Sequence, residues 1–250
     1  MNNTDTQKLI KKFNNNGYLV VKNFLKKNQI NELLNGFEAN LNFCISNFSK
    51  IKFKDLDEKY IWLQKNYPLI KSRAYDVSKY HQSLYKISSN KKLDKFLQKY
   101  FNEKYYYLDL PQIRADDNSN SRALPMHQEL YGQLSKKIVT LWIPLTNVSV
   151  KNGTMGIVQN SHNLGILKHT FYKIKKNKYH GVTSDFMKNK KILYFKLEAG
   201  DAVLFHPLLV HGTGRNYSKN IRWTYIVRLN ALSGIEYLTN ERSSLRIKQN

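Results

Sequence analysis

The sequence predicts an α+β fold, mainly β, in which helices pack on one side of an antiparallel β-sandwich or barrel. Two observations carry this prediction. Apolar residues recur at helical spacing in roughly the first 103 residues, whereas short β-rich runs separated by Gly, Asn, Pro and Asp follow from residue 104. Helices followed by many short strands are typical of a helical layer packed on such a β structure.

The N-terminal part begins with TQKLIKKFNNNGYLVVKNFL, which predicts a short helix, a turn at Gly17 and a strand. A longer helix follows, with apolar residues at helical spacing: Ile30, Leu33, Leu34, Phe37 and Leu41. The segment from about 50 to 103 is predicted to be mostly helical and to end with KLDKFLQKYF.

The β core is predicted to span about residues 104–230, with a tail over 231–250. Its strands are expected at KYYYLDLPQIRAD, KIVTLWIPL, GTMGIVQ, KILYFKL, DAVLFHP and IRWTYIVRL. Since the chain contains no linker of disordered composition, we expect residues 1–250 to form a single domain.

Composition narrows the functional classes. The single cysteine, Cys44, excludes an internal disulfide and a cysteine-based zinc site, and it favours a reducing, cytoplasmic location. No run of about 18 apolar residues is present, so no membrane span is expected. The N-terminus also lacks the apolar core of a signal peptide.

The net charge of +23, from 41 basic and 18 acidic residues, raises the question of a nucleic-acid partner. The lysines are scattered, however, and no zinc-finger spacing, basic-region heptad or aromatic RNA-binding signature is present. We therefore interpret the charge as a lysine- and asparagine-rich composition and expect no nucleic-acid partner. Nothing in the sequence indicates an oligomeric state.

The stretch MHQEL is a candidate metal site. On an extended strand His127 and Glu129 would project to the same side. A third ligand is expected from DAVLFHPLLVHGTGRN, where we favour His211, at the end of the apolar run, over His206. Two histidines and one carboxylate form the facial set of non-heme Fe(II) oxygenases, which leaves positions open for a co-substrate and O2.

Arg222 and Arg228 are six residues apart in NIRWTYIVRL and would project to one side of a strand. Buried arginines are favourable only where they bind anions, and a planar guanidinium suits the carboxylate of 2-oxoglutarate. The alternative is an edge strand with both arginines in solvent and Trp223, Tyr225 and Val227 in the core.

Four segments resemble the phytanoyl-CoA dioxygenase-like family of Fe(II)/2-oxoglutarate oxygenases: FNNNGYLVVKNFLKKNQINEL, LPMHQE, VTLWIPLTNVSVKNGTMGIVQNSHNLG and EAGDAVLFHPLLVHGTGRNYSKNIRWTYIVR. This resemblance implies a double-stranded β-helix core, of the jelly-roll or cupin-like kind. It also implies hydroxylation of a C–H bond in a small-molecule substrate, with Fe(II) as the cofactor, 2-oxoglutarate and O2 as co-substrates, and release of succinate and CO2.

The resemblance also implies roles for individual residues. His127, Glu129 and His211 match the iron ligands, while Arg222 and Thr213 match residues that hold the 2-oxoglutarate carboxylate. Gln112 matches, more loosely, a polar contact to the same co-substrate. The family's carboxylate ligand is usually Asp, and the presence of Glu129 argues against a halogenase, which lacks this carboxylate. His81, His169 and His180 match no family position, and we expect them at the surface.

Three residues that flank the ligands, Arg114, Tyr131 and Arg228, are candidates for substrate contacts and would suit a small anionic metabolite. Each arginine could equally form a structural ion pair. Two other classes stay open at this point. One is a cupin-like metal-dependent isomerase, or a non-catalytic metal- or sugar-binding protein, which would not need Arg222. The other is a nucleic-acid demethylase, which the basic charge favours but the WIPL and SH segments do not.

Overall fold

A computed structural model describes residues 3–46, 50–118, 123–129, 137–174 and 177–234. Its helices are α1 (Asn3–Asn16), α2 (Lys27–Ser46), α3 (Leu56–Asn66), α4 (Pro68–Ser78), α5 (Gln82–Lys86), α6 (Lys91–Phe101) and α7 (Ser184–Met187). Its strands are β1 (Tyr18–Val21), β2 (Tyr106–Asp116), β3 (Leu124–His127), β4 (Ile138–Pro144), β5 (Met155–Ile157), β6 (His169–Ile174), β7 (Asn177–Val182), β8 (Leu193–Tyr194), β9 (Ala202–Phe205), β10 (His211–Thr213) and β11 (Arg222–Ala231).

The helical part forms as the apolar spacing predicts. In α2, one face is buried, and it is made of Ile30, Leu33, Phe37, Leu41 and Ile45. Asn90 caps the start of α6, where its side chain accepts hydrogen bonds from two backbone N–H groups of the first turn. Asn102, in the left-handed conformation, caps the end of the helix. Among the helices within the described ranges, none has both the length and the apolar character of a transmembrane span.

Two antiparallel sheets form the β core. The larger sheet has the strand order β1-β9-β4-β11-β2, and the smaller has β3-β10-β5-β8. Side chains from both sheets pack together in one interior cluster, which includes Trp142, Phe205 and Ile226 from the larger sheet and Met155 and Ile157 from the smaller. This is the predicted double-stranded β-helix architecture.

The helices cover the outer face of the larger sheet. Trp223, Tyr225 and Val227 of β11 share a buried cluster there with residues of α2, α3 and α6. Because β11 lies between β4 and β2, it is buried on both faces, and the alternative of an edge strand with solvent-exposed arginines is wrong. Arg222 and Arg228 instead project to the opposite face, into the space between the two sheets.

The hairpin of β6 and β7 was not among the expected strands. Few of its side chains are buried, and the lysine-rich segment lacks the apolar alternation that identifies a half-buried strand. The prediction that residues 1–250 form one domain with a tail over 231–250 stays a prediction, since 235–250 lie outside the described residues.

Candidate metal and co-substrate site

Two histidines from neighbouring strands lie side by side in the smaller sheet. His127 ends β3, His211 begins β10, and the two are directly opposite in the antiparallel register. Opposite residues of an antiparallel pair project to the same side, so the two rings meet, with centroids 4.3 Å apart. Residues that are distant in the chain thus form one face of a site.

Backbone carbonyls orient both imidazoles. His127 Nδ1 lies 2.8 Å from the carbonyl oxygen of Pro125, and His211 Nδ1 lies 3.0 Å from that of Leu209. A carbonyl only accepts, so each Nδ1 carries the hydrogen and each Nε2 keeps its lone pair. Both lone pairs are therefore available to a metal ion, in the arrangement common to metal-binding histidines.

Glu129 completes the cluster, although β3 ends before it. A backbone hydrogen bond from Glu129 to the carbonyl oxygen of Pro207 fixes the residue beyond the strand, at 2.8 Å. Its Oε2 lies 3.2 Å from Nε2 of His211 and 3.7 Å from Nε2 of His127. The three side chains each offer one donor atom, all within 4.8 Å of one another, so they could hold a metal ion.

Gln128, between two of these residues, points away and anchors the segment. Its side-chain amide donates to the carbonyl oxygens of Gly165 and Leu208, at 2.8 Å each, and accepts from the N–H of Leu167. Its backbone N–H donates to Nε2 of His169. Sequence reasoning missed this role, whose only signal was that Gln128 alternates with the two ligand candidates.

Of the three histidines expected at the surface, one is buried. His169 is buried at 4% exposure and accepts the hydrogen bond from Gln128, so its expected surface position is wrong. His81 is partly buried at the start of α5, and His180 is exposed. His206 does not join the metal cluster: it packs against Phe13 and accepts a hydrogen bond from the N–H of Leu208.

Electrostatics keep the Glu129 carboxylate charged. Burial alone would raise its pKa, but the Arg228 guanidinium beside it holds the pKa well below its usual range. Arg228 Nε donates to Glu129 Oε1 at 2.6 Å, and Nη2 lies 2.5 Å from the same oxygen. For His211, burial and the neighbouring His127 lower the pKa, which favours the neutral form that binds metals.

Arg222 lies further along the same interior face of β11. It is 2% exposed, and its Nη2 lies 2.8 Å from Oδ2 of Asp116, the residue opposite it on β2. Its Nη1 lies 3.5 Å from the carbonyl oxygen of Asn152. Sequence reasoning did not anticipate Asp116, because the pairing of β2 with β11 is not visible in either segment alone.

The buried donors at this end that have no partner among the described residues include Arg222 Nε and Thr213 Oγ1. The loop that follows Asn152 brings them into one neighbourhood, because it contacts Arg222 and also bonds to Gly214, next to Thr213. Buried polar groups are nearly always paired in native proteins. A carboxylate, the group that the resemblance places here, accepts from donors of this kind, so the chemistry of these residues fits 2-oxoglutarate.

Gln112 and Arg114 project from β2 to the same interior face, as their register with Ile226 and Thr224 of β11 requires. Gln112 accepts a hydrogen bond from the Tyr75 hydroxyl at 3.0 Å, and Arg114 lies 3.9 Å from Asp116. Both line a cavity of about 370 Å³, together with Tyr60, Gln64, Lys71, Ser72, Tyr75, Asp76, Ala115 and Asp116. Tyr131 lies outside the described residues.

Known proteins resemble this chain in both sequence and fold. Human peroxisomal phytanoyl-CoA dioxygenase is 25% identical over 240 residues, which cover 88% of this chain and 67% of that protein. The bovine protein of the same name is 24% identical, and 64% of its length is covered. The 1-deoxypentalenic acid 11-beta-hydroxylase of Streptomyces arenae is 28% identical over 134 residues, or 50% of this chain and 47% of that protein.

Solved structures agree with the fold. The epimerase SnoN, in complex with Fe3+, alpha-ketoglutarate and nogalamycin RO, superposes with a TM-score of 0.62 at 16% identity, over 96% of this chain and 91% of SnoN. EctD from S. alaskensis, with 2-oxoglutarate and 5-hydroxyectoine, gives 0.61 at 12% identity, over 92% and 77%. The family model "Phytanoyl-CoA dioxygenase (PhyH)" matches residues 13–224. Because this match covers most of the chain, the protein belongs to the phytanoyl-CoA dioxygenase family of non-heme iron, 2-oxoglutarate-dependent dioxygenases.

Proposed function

We propose that this protein hydroxylates a C–H bond of a small anionic metabolite, with 2-oxoglutarate converted to succinate and CO2. The observation that carries the proposal is the cluster of His127, Glu129 and His211 beside a buried arginine with an unpaired donor. The ion pair with Asp116 accounts for one end of that arginine, and a 2-oxoglutarate carboxylate would account for its unpaired Nε. The membership of the chain in its family supports the same reaction class.

In this proposal Nε2 of His127, Oε2 of Glu129 and Nε2 of His211 would hold Fe(II). Two histidines and one carboxylate are the donor set of non-heme Fe(II) oxygenases, and such a set would leave metal positions for the co-substrate and O2. The bound iron, 2-oxoglutarate and O2 together supply the oxidant. The protein contributes the ligand geometry, which the backbone carbonyls of Pro125 and Leu209 fix through the two imidazoles.

Arg222 and Thr213 would hold the distal carboxylate of 2-oxoglutarate, and Gln112 would contact the co-substrate from β2. Asp116 takes one end of the Arg222 guanidinium and leaves Nε and part of the Nη1 capacity for the ligand. A guanidinium has five donors in a fixed fork, so it can serve two carboxylates at once. Asp116 therefore orients Arg222 and leaves enough of its donors for the 2-oxoglutarate carboxylate.

The polar cavity beside β2 suits a small polar substrate, and its two cations offer partners for an anionic group. Lys71 and Arg114 supply positive charge to its lining, and Asp76 and Asp116 supply negative charge. Gln64, Ser72 and Tyr75 supply hydrogen-bonding groups. A long apolar chain would leave these groups without partners, which is unfavourable. Arg114 is the predicted substrate residue in this lining, while Tyr131 stays a prediction from the sequence.

An anaerobic titration with Fe(II) and 2-oxoglutarate tests the cofactor part. Chelation of the keto acid to iron at such a site gives a weak visible charge-transfer band, which we expect from the wild-type protein. We expect no band from His211→Gln and an unchanged band from His206→Gln, a matched variant at a histidine outside the cluster. Iron binding without the band would favour the isomerase or binding-protein class instead.

A substrate panel tests the remaining part. We expect small carboxylates and phosphates to raise succinate formation above the substrate-free rate, and their neutral analogues to have little effect. Arg114→Gln should reduce this stimulation, whereas Arg73→Gln, at an exposed position on α4, should not. Stimulation by neutral compounds alone would overturn the anionic substrate. Mass analysis of the product would distinguish hydroxylation, a gain of one oxygen atom, from another oxidative outcome.

A further inference from the structure

The second interior arginine of β11 has a different use. We propose that Arg228 is a positioning residue that holds the longer Glu129 side chain so that only one of its oxygens faces the metal. This inference rests on the proposed function, because it assigns Arg228 a task at the metal ligand. It also gives Arg228 a role other than the substrate contact expected from the sequence.

The contacts divide the two carboxylate oxygens. Both Nε and Nη2 of Arg228 converge on Oε1, at 2.6 and 2.5 Å. Oε2 is left to face the two imidazoles, at 3.2 Å from His211 and 3.7 Å from His127. Since Oε1 is held by two nitrogens of a planar group, rotation of the carboxylate toward two-oxygen chelation would break both contacts.

The use of glutamate as the metal ligand explains why its side chain needs to be held in place. Glutamate has one more rotatable bond than aspartate, so its carboxylate can reach more positions around a metal ion. Ordering the longer side chain costs conformational entropy. The ion pair with Arg228 orders it before the metal binds, so this cost does not reduce the metal affinity. The chain therefore combines the longer ligand with an arginine placed to restrict it.

The register of the larger sheet places a second carboxylate opposite Arg228. The register between β11 and β2 shifts after Ile226, which pairs with Gln112, so that Arg228 pairs with Asp109. Two residues of β2 thus oppose one of β11, in a bulge that includes Pro111, whose missing N–H suits such a position. The shift places Asp109, rather than an apolar residue, opposite Arg228, where its negative charge favours the guanidinium.

Substrate binding is the alternative use of Arg228. The contacts with Glu129 use the Nε hydrogen and one of the two Nη2 hydrogens, so three of the five donors are left. A substrate that displaced Glu129 from the guanidinium would leave a buried carboxylate without its main counter-charge, which is strongly unfavourable. The observed contacts thus favour the metal ligand as the partner.

Metal affinity measured without 2-oxoglutarate or substrate tests the proposal. We expect Arg228→Lys, which keeps the charge but lacks the fork, to weaken anaerobic Co(II) and Fe(II) binding by about 10-fold, and Arg228→Gln by up to about 100-fold. The Co(II) absorption spectrum should also change, because a released carboxylate alters the coordination geometry. Arg73→Lys, at an exposed position on α4, is the control and should keep the wild-type affinity and spectrum.

A double-mutant cycle with Glu129→Asp distinguishes positioning from a general effect of charge. Aspartate is shorter and withdraws from Arg228, so Arg228→Gln should weaken Co(II) binding much less in the Glu129→Asp variant than in the wild-type protein. Equal effects in both backgrounds would overturn the proposal, as would wild-type affinity in Arg228→Lys. The Lys variant keeps the buried charge and thus serves if Arg228→Gln does not fold.

The same titrations separate this inference from the proposed function. A wild-type protein that forms the charge-transfer band, together with an Arg228→Lys variant of unchanged metal affinity and spectrum, would overturn the role of Arg228 alone. A wild-type protein that binds Co(II) with a strong Arg228 dependence but forms no band would overturn only the 2-oxoglutarate reaction. A wild-type protein that binds no divalent metal would overturn both.

Discussion

The two ends of the interior face of β11 carry the same residue type in different settings. Arg222 pairs with Asp116, which lies directly opposite on the neighbouring strand, whereas Arg228 pairs with Glu129, which reaches it across the interior from beyond β3. Arg222 keeps Nε without a partner among the described residues, whereas Arg228 directs both Nε and Nη2 at one oxygen.

This difference shows how the hydrogen-bond donors of a buried arginine are shared between a carboxylate of the protein and a bound ligand. An unpaired buried charge is strongly unfavourable, so each guanidinium needs a carboxylate from the protein. Where the carboxylate takes one end of the guanidinium, as at Arg222, donors are left for a ligand. Where the carboxylate is itself a metal-ligand candidate, as at Arg228, the guanidinium fixes that carboxylate.

The largest expected effect comes from neutralising the two carboxylates in turn. Glu129→Gln removes the anionic metal donor and leaves Arg228 without its main counter-charge, so we expect metal affinity to fall by more than about 100-fold. Asp116→Asn should leave metal affinity near that of the wild type, while it lowers the free energy of unfolding by up to about 3 kcal/mol.

Metal titration and chemical denaturation of both variants would measure these changes. Loss of metal binding in Asp116→Asn would make Asp116 part of the metal site. It would contradict the separate roles of the Arg222 and Arg228 ends of β11. Wild-type metal affinity in Glu129→Gln would remove Glu129 from the ligand set.

Arg222→Lys gives the next largest effect. A lysine cannot serve Asp116 and the 2-oxoglutarate carboxylate at the same time, and one charge-assisted hydrogen bond contributes about 1.5–3 kcal/mol. We therefore expect the KM for 2-oxoglutarate to rise by about 10- to 100-fold. Steady-state assays of succinate formation would measure it, and an unchanged KM would show that the co-substrate does not use Arg222.

The sequence predicts the residues of this site better than it predicts the residues that hold them in place. His127, His211 and Arg222 follow from motif order and strand alternation, and the structure brings the two histidines together in register. Glu129 was expected on the same strand as His127. The strand ends at His127, however, and a backbone hydrogen bond to Pro207 places the carboxylate.

The supporting residues could not be predicted because their contacts are long-range. Asp116 meets Arg222 only after β2 pairs with β11, and Gln128 meets residues of two loops that are 37 and 80 positions away. The pairing of Arg228 with Glu129 joins residues 99 positions apart in the chain, which no local pattern of residues reveals. Local periodicity determines which side of a strand a residue occupies, but not which distant residue it faces.

His206 is a buried ionisable residue that, unlike Arg222 and Arg228, has no opposite charge among its described neighbours. Burial and the nearby His162 lower the pKa of His206 to about 4, from an ordinary value of 6.5. The unfolded chain therefore binds a proton more readily than the folded chain between these two pH values. The stability contribution of the neutral ring is complete above about pH 6.5 and is lost as pH falls toward 4, by at most about 3 kcal/mol.

Denaturation curves of the wild type and of His206→Gln at several pH values would test this effect. We expect the variant to lose less stability between about pH 6.5 and 4, because its side chain does not titrate. Carboxylates such as Asp201 also lose stabilising contacts in acid, but they do so in both proteins, so the difference isolates His206. Parallel pH dependences would contradict the lowered pKa.

The smallest expected effect compares two buried hydroxyls, one at each end of β11. Neither Thr213 Oγ1 nor Thr140 Oγ1 has a hydrogen-bond partner within the described part of the chain, and Thr140 lies opposite Arg228 in the register. Replacing either residue by valine removes an unpaired buried hydroxyl, so the ligand-free protein should keep its stability or gain up to about 1 kcal/mol.

The two substitutions should differ once 2-oxoglutarate is present. Thr213→Val removes a donor to the co-substrate carboxylate and should raise its KM by about fivefold, the equivalent of about 1 kcal/mol. Thr140→Val should leave that KM unchanged, because its end of β11 faces the metal carboxylate. If both variants raise the KM equally, the two ends are not functionally distinct. If neither does, Arg222 holds the carboxylate without help from Thr213, and the unpaired hydroxyl has another partner in the loaded enzyme.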